Sequence, residues 1–191
     1  MVNNIYLNTL NVRGLGNNKK CSAMLNWLGK TPGIYFLQET HSNDISMVKW
    51  KKHWKGAIYF SHGTTNSRGV AILIHSNITH QVLEEHTDES GRYIILKVKI
   101  NDQVVVLTNC YLPTKDHEKE QIAVLESITS ALSNFSECSL IVGGDFNVTL
   151  NPSLEKSNYD SNVSESKTFR ASVKGFLITF HLEDLIRNFK P

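Results

Sequence analysis

Asp145 and Asn147 stand two residues apart behind Gly143-Gly144, at the end of the apolar run Leu140-Ile141-Val142. That run is β-branched and too short for a helix, so it reads as a buried strand. The glycines, lacking a Cβ, let the backbone turn tightly or let a ligand come close. If the chain stays extended there, Asp145 and Asn147 point to one side and put a carboxylate and an amide in one small space. The plainer alternative is a strand followed by an Asp/Gly/Asn turn. Asn11, Glu39 and Tyr111 close three other apolar runs in the same manner. Singly, each has an ordinary explanation: a solvated strand cap for Asn11 and Glu39, half-buried packing for Tyr111 before Leu112-Pro113. As a set they are the equipment for metal-assisted phosphodiester hydrolysis. One carboxylate suits a hard cation such as Mg²⁺, which needs few protein ligands and keeps its waters. A second can orient and deprotonate water. Amide and phenol groups can hold phosphate oxygens and stabilise developing charge.

Strand ends must carry these groups, and the chain supplies the strands. Residues 5–12 alternate as a strand and run into the loop Arg13-Gly14-Leu15-Gly16. Asn17 or Asn18 can cap a helix with Cys21, Met24, Leu25 and Leu28 at helical spacing, stopped by Gly29 and Pro32. Residues 33–39 form a second strand, so the opening implies a parallel pair with a right-handed crossover. A short helix is expected from Asn43 to about Lys52. Strands are then expected at 57–60, 70–74, 93–100 and 104–111, the last two joined by an Asn101-Asp102 hairpin turn. A long helix follows with Ile122, Leu125, Ile128 and Leu132 on one face. After the Asp145 strand, residues 151–165 read as a polar surface loop. A last helix carries Phe169, Val173, Phe176, Leu177 and Phe180. Two βα units bracketing an antiparallel meander predict two packed sheets with helices outside.

Composition bounds the rest. The 191 residues suit one domain spanning 1–191, with 40% hydrophobic and 20% charged residues. A net charge of +2 neither demands nor excludes a nucleic-acid partner, because a local basic face is enough. The cysteines Cys21, Cys110 and Cys138 have no metal spacing and form no disulfide framework, which favours a reducing, intracellular compartment. The N-terminus has no signal-peptide pattern, and no apolar run is long enough to span a membrane.

The motifs Leu10-Asn11-Val12-Arg13-Gly14-Leu15, Leu37-Gln38-Glu39-Thr40-His41, Ser67-Arg68-Gly69-Val70-Ala71-Ile72-Leu73, Asn109-Cys110-Tyr111-Leu112-Pro113 and Gly144-Asp145-Phe146-Asn147 resemble those of the endonuclease/exonuclease/phosphatase family, in that family's order. His41 and the stretch Tyr59-Phe60-Ser61-His62-Gly63 are most similar to the N-terminal endonuclease of LINE-type (non-LTR) retrotransposons. Bacterial exonuclease III and abasic-site endonucleases are the next most similar enzymes. Val148 argues against the inositol-phosphatase branch. The resemblance implies an α/β fold, a four-layer sandwich of two mixed β-sheets flanked by helices, deoxyribonuclease I-like. It implies a Mg²⁺-dependent nuclease, with Mn²⁺ able to substitute, acting on double-stranded DNA inside the cell, in the nucleus if functional. Glu39 would be the metal carboxylate, with Asn11 close to the metal and its water. Tyr111 would contact the scissile phosphate, Asp145 would activate the attacking water, and Asn147 would bind a phosphate oxygen. Arg13 stands where some relatives have Asn.

The same resemblance implies further strands beyond Pro191, carrying another Asp and a Ser-Asp-His motif, and a reverse transcriptase downstream in an intact element. The chain is therefore expected to be C-terminally incomplete, to lack the final strands and to have little nuclease activity alone. None of its eight histidines lies in a context that replaces the missing one. Lys49, Lys51, Lys52 and Lys55, with His53, Trp50 and Trp54 among them, could lie along a phosphate backbone or form a solvated basic helix end. Lys167 and Arg170 are similar candidates. The competing functions are an exonuclease III-like or abasic-site nuclease, and an inactive remnant of the fold that at most binds DNA.

Overall fold

A computed structural model describes residues 5–150 and 167–184. The described chain falls into two compact units, one of residues up to Tyr111 together with Cys138–Phe146, the other of Leu112–Glu137 with the residues from Asn147 onward. The expected loop at 151–165 lies outside the described residues.

The first unit is built from two four-stranded sheets. In one, β1 (Tyr6–Asn11), β2 (Gly33–Gln38), β4 (Val70–His75) and β3 (Gly56–Ser61) lie side by side in that order. In the other the order is β5 (His80–Thr87), β6 (Tyr93–Ile100), β7 (Gln103–Tyr111) and β8 (Ser139–Asp145). Each sheet has one parallel pair, β1 with β2 and β7 with β8; the other neighbours are antiparallel. The helices α1 (Asn18–Leu28) and α2 (Asp44–His53) complete this unit.

The period of two along β2 builds both cores. Ile34 and Phe36 turn one way, into the layer between the sheets with Ile72, Ile74, Ile94, Leu96, Val98 and Leu107. Tyr35 and Leu37 turn the other way, against Cys21, Leu25 and Leu28 of α1 and Trp50 of α2. Because β2 is covered on both faces, it reads as an unbroken apolar run. Asn17 caps α1 by accepting from the backbone N–H groups of Lys19 and Lys20. Asn43 caps α2 in a reciprocal box with Ser46. Asn101 and Asp102 both take left-handed φ, 49° and 67°, as a two-residue hairpin requires.

Strand β5 has no signal in the sequence. His80-Gln81-Val82-Leu83-Glu84-Glu85-His86-Thr87 has neither an apolar run nor a clean alternation, because it is a sheet edge exposed along most of its length. Its charges are those of a blunted edge, with Glu84 paired to Lys97 on β6 at 2.7 Å.

In the second unit, α3 (Glu118–Ser133) and α4 (Lys167–Thr179) bury Leu125, Ile128 and Leu132 on one side and Phe169, Val173 and Phe176 on the other. Gln121, rather than Ile122, is the fully buried residue of the first turns of α3, and its amide donates to Pro113 O.

Candidate active site

The two parallel pairs end at the same place. On one sheet Asn11 closes β1, opposite Gln38 of β2, and Glu39 follows immediately. On the other sheet Tyr111 closes β7 directly opposite Asp145 of β8. Parallel strands necessarily present their carboxyl ends together, so each sheet offers two neighbouring side chains there.

One amide joins them. Asn11 Nδ2 donates to Glu39 Oε1 at 2.8 Å and to Asp145 Oδ2 at 2.9 Å. The second bond crosses from one sheet to the other and links residues 134 apart in sequence. The Asn11 Oδ1 atom, which is the atom an asparagine offers a cation, instead accepts from the Arg13 backbone N–H at 3.1 Å. Tyr111 stands close enough to Glu39 for the carboxylate to act on its phenol. Its phenol is pushed up to about 12, first by burial and then by the Glu39 carboxylate, with Arg92 acting in the opposite sense. Tyr111 is therefore a protonated donor at neutral pH. Arg92, itself buried, lies over the Tyr111 ring at 5.4 Å, and its carbonyl accepts the Tyr111 N–H.

The backbone beneath the cluster is unusual. Glu39 has φ 52° and Arg13 φ 47°, left-handed conformations that cost a non-glycine residue roughly 1–2 kcal/mol. Sheet-like hydrogen bonds hold them there: Val12, Gly14 and Leu15 donate to the carbonyls of Gln38, Glu39 and Thr40. Thr40 and His41 donate in turn to Gly69 and Arg68. Below the site, a buried polar bridge ties the sheets. Gln38 Nε2 donates to Asn109 Oδ1 at 2.7 Å, and Asn109 Nδ2 donates to Leu37 O and Ala71 O at 2.9 Å each. Gln38 and Asn109 are 1% and 0% exposed, so this bridge is firmly anchored in the core.

Several expectations meet a different arrangement. β8 ends at Asp145, and Asn147 has φ 49°, so the extended chain that would turn both side chains to one side is not present. Asn147 Nδ2 donates to Leu112 O at 2.7 Å within the second unit. Gly143 and Gly144 serve packing rather than ligand approach. A Cβ on Gly143 would lie 2.7 Å from Cγ of Phe36 on the facing sheet, and one on Gly144 would lie 2.6 Å from Cys110 Sγ. The lysines Lys49, Lys51, Lys52 and Lys55 lie on or just after α2, which starts at the site end and runs away from it. Lys55 O accepts Ser76 N just past the end of β4, at the opposite end of the sheet from Gln38 and Val70. The two ends of a six-residue strand are about 20 Å apart. Arg13, by contrast, sits in the loop that follows Asn11. The bridge residues Gln38 and Asn109, and Arg92 against Tyr111, carried no signal beyond their place in or near the motifs.

The donor set fits a hard divalent cation. Two carboxylates face the same Asn11 amide from opposite sheets, and the nearby thiol of Cys110 is fully buried and raised by burial and by Asp145. Among the described residues no group of three or more His, Cys, Asp and Glu gathers to cage a metal. Two carboxylates with water completing the shell is the arrangement Mg²⁺ takes. Glu39 and Asp145 are the residues that would hold it.

Comparison with known proteins agrees with the geometry. Residues 8–158 match the Endonuclease/Exonuclease/phosphatase family, and the chain belongs to that family. It is 32% identical over 190 residues to the Transposon TX1 uncharacterized 149 kDa protein of Xenopus laevis, covering 98% of this chain and 14% of that protein. The chain thus spans about a seventh of the length of the curated relative it matches. Among solved structures, an AP endonuclease from Archaeoglobus fulgidus is similar with TM-score 0.69 and 20% identity, over 92% of this chain and 71% of that one. Zebrafish (D. rerio) TDP2 complexed with a single strand DNA product is similar with TM-score 0.57 and 19% identity, over 76% and 61% of the two chains. These likenesses establish the fold: two mixed four-stranded sheets with helices, deoxyribonuclease I-like. No described helix is long and apolar enough to cross a membrane.

Proposed function

We propose that the chain carries a Mg²⁺-dependent DNA phosphodiesterase site of endonuclease type, of the kind that nicks target DNA for a LINE-type retroelement. The observation that carries this reading is the Asn11 amide held between Glu39 and Asp145 at the meeting of two parallel strand pairs. The 32% identity to a transposon protein favours the retroelement setting over a repair enzyme.

A Mg²⁺ held by Glu39 and Asp145 would neutralise charge on the phosphate and the leaving oxygen. Through its other carboxylate oxygen Asp145 accepts a proton from the attacking water and aims the water's oxygen at phosphorus. Asn11 fixes both carboxylates against each other, so that neither reorganises as charge develops. Tyr111, kept protonated, would turn its single O–H from Glu39 to a phosphate oxygen. The proposal draws on residues of the first unit alone.

The test is incubation with supercoiled plasmid, linear duplex and abasic duplex, with and without Mg²⁺. Slow, Mg²⁺-dependent nicking of plasmid, abolished by Asp145→Asn, is expected. Preference for the abasic duplex would move the assignment to repair. DNA binding without turnover would leave a fold remnant.

A further inference from the structure

Lys20 belongs to none of the site groups, yet its ammonium has a full set of acceptors. Nζ donates to Val12 O at 2.7 Å, Arg13 O at 2.9 Å and Gly14 O at 2.9 Å. An ammonium has three donors, and all three are used. Three successive carbonyls face one point because the turn is left-handed, with φ 47° at Arg13 and 76° at Gly14. Carbonyl dipoles so directed repel one another unless a cation sits between them. Lys20 also occupies the first turn of α1, where a positive charge opposes the helix dipole and no acidic residue offsets it. A local preference broken in this way points to a compensating role nearby.

The turn that Lys20 closes is the one that holds the site. Arg13 N donates to Asn11 Oδ1, and the same amide's Nδ2 donates to Glu39 and Asp145. Gly14 N donates to Glu39 O at 2.7 Å. Lys20 therefore reaches the carboxylates by two routes, through the Asn11 side chain and through the Glu39 main chain. We infer that Lys20 is a positioning residue, whose ammonium closes the Val12–Gly14 turn and thereby sets where Asn11, Glu39 and Asp145 point. Its consequence for a metal rests on the proposed cation site; its consequence for Asn11 does not.

The sign of the effect separates positioning from simple charge. Removing a positive charge near two carboxylates should tighten a bound cation on Coulombic grounds. Loss of positioning should weaken it, by about tenfold if Lys20 behaves as an outer-shell partner does. Two quantities would be measured in wild type and Lys20→Met: solvent exchange of the Asn11 side-chain amide protons by NMR, and Mn²⁺ affinity by water-proton relaxation. Faster Asn11 exchange with weaker Mn²⁺ binding is the expected result. Unchanged Asn11 exchange, or Mn²⁺ binding as tight as or tighter than wild type, would overturn the inference. Wild type that binds no Mn²⁺ at all would remove the cation site and leave Asn11 exchange to decide about Lys20. Should Lys20→Met not fold, Lys20→Ala refolded with propylammonium decides instead. Recovery of the fold and of Asn11 protection supports positioning. Equal recovery with tetramethylammonium, which has no N–H, or recovery with neither, overturns it.

Discussion

Asn11→Asp is nearly isosteric, yet it should be among the most damaging single changes in the chain. The Asn11 amide makes two charge-assisted hydrogen bonds, at 2.8 and 2.9 Å, to Glu39 and Asp145. At the low end appropriate to a half-exposed site, each contributes about 1.5 kcal/mol, or about 3 together. The substitution also turns the donor into a third carboxylate. Two like charges about 4 Å apart repel by about 1 kcal/mol in a water-like medium and about 4 at an effective dielectric of 20. The cluster would relieve part of that by taking up a proton, so the net loss is placed at about 3–5 kcal/mol. Such a loss is a large share of the stability of a domain. Urea titration followed by tryptophan fluorescence measures it, since Trp50 and Trp54 are both buried in the core against α1. Added Mg²⁺ should narrow the gap between Asn11→Asp and wild type, because a third hard oxygen suits the cation. A loss below about 1 kcal/mol, unaffected by Mg²⁺, would show that Asn11 does not bind the two carboxylates together in solution.

The phenol of Tyr111 should ionise near pH 12 rather than 10, read as the difference in alkaline absorbance between wild type and Tyr111→Phe. A group whose folded pKa is raised contributes stability in full below its unfolded value, so the Tyr111 contribution should be lost between about pH 10 and pH 12; ionisation at pH 10 would mean that Tyr111 is neither buried nor acted on by Glu39. Gly143→Ala should lower stability by about 1–3 kcal/mol, because the new methyl meets Phe36 across the two sheets. A neutral outcome in thermal melting would place the sheets farther apart at that point.

The sequence carried the site through its strand ends. Asn11, Glu39, Tyr111 and Asp145 each stand at or just past the end of a strand-like run, and such a position is visible without coordinates. What it could not carry were relations set by three-dimensional direction. The α2 lysines are adjacent in sequence, but only the order of β2, α2 and β3 tells that the helix leaves the site and that Lys55 lies at the far end. The reading of Asn147 depended on an extended backbone that its left-handed φ denies. The double glycine looked like room for a ligand and is room for Phe36 and Cys110. Strand β5 escaped because an exposed edge has no buried face to impose a pattern. Lys20 and Arg92 were silent because their partners are main-chain carbonyls and an aromatic face, which no side-chain motif encodes.

The most direct test of the whole account is a Mn²⁺ titration of wild type, Glu39→Gln and Asp145→Asn, followed by water-proton relaxation. If the two carboxylates that share the Asn11 amide are the cation site, wild type binds one Mn²⁺, displaced by Mg²⁺, and each variant binds at least about tenfold more weakly. Equal binding by all three proteins would contradict the account and remove Glu39 and Asp145 from the proposed chemistry.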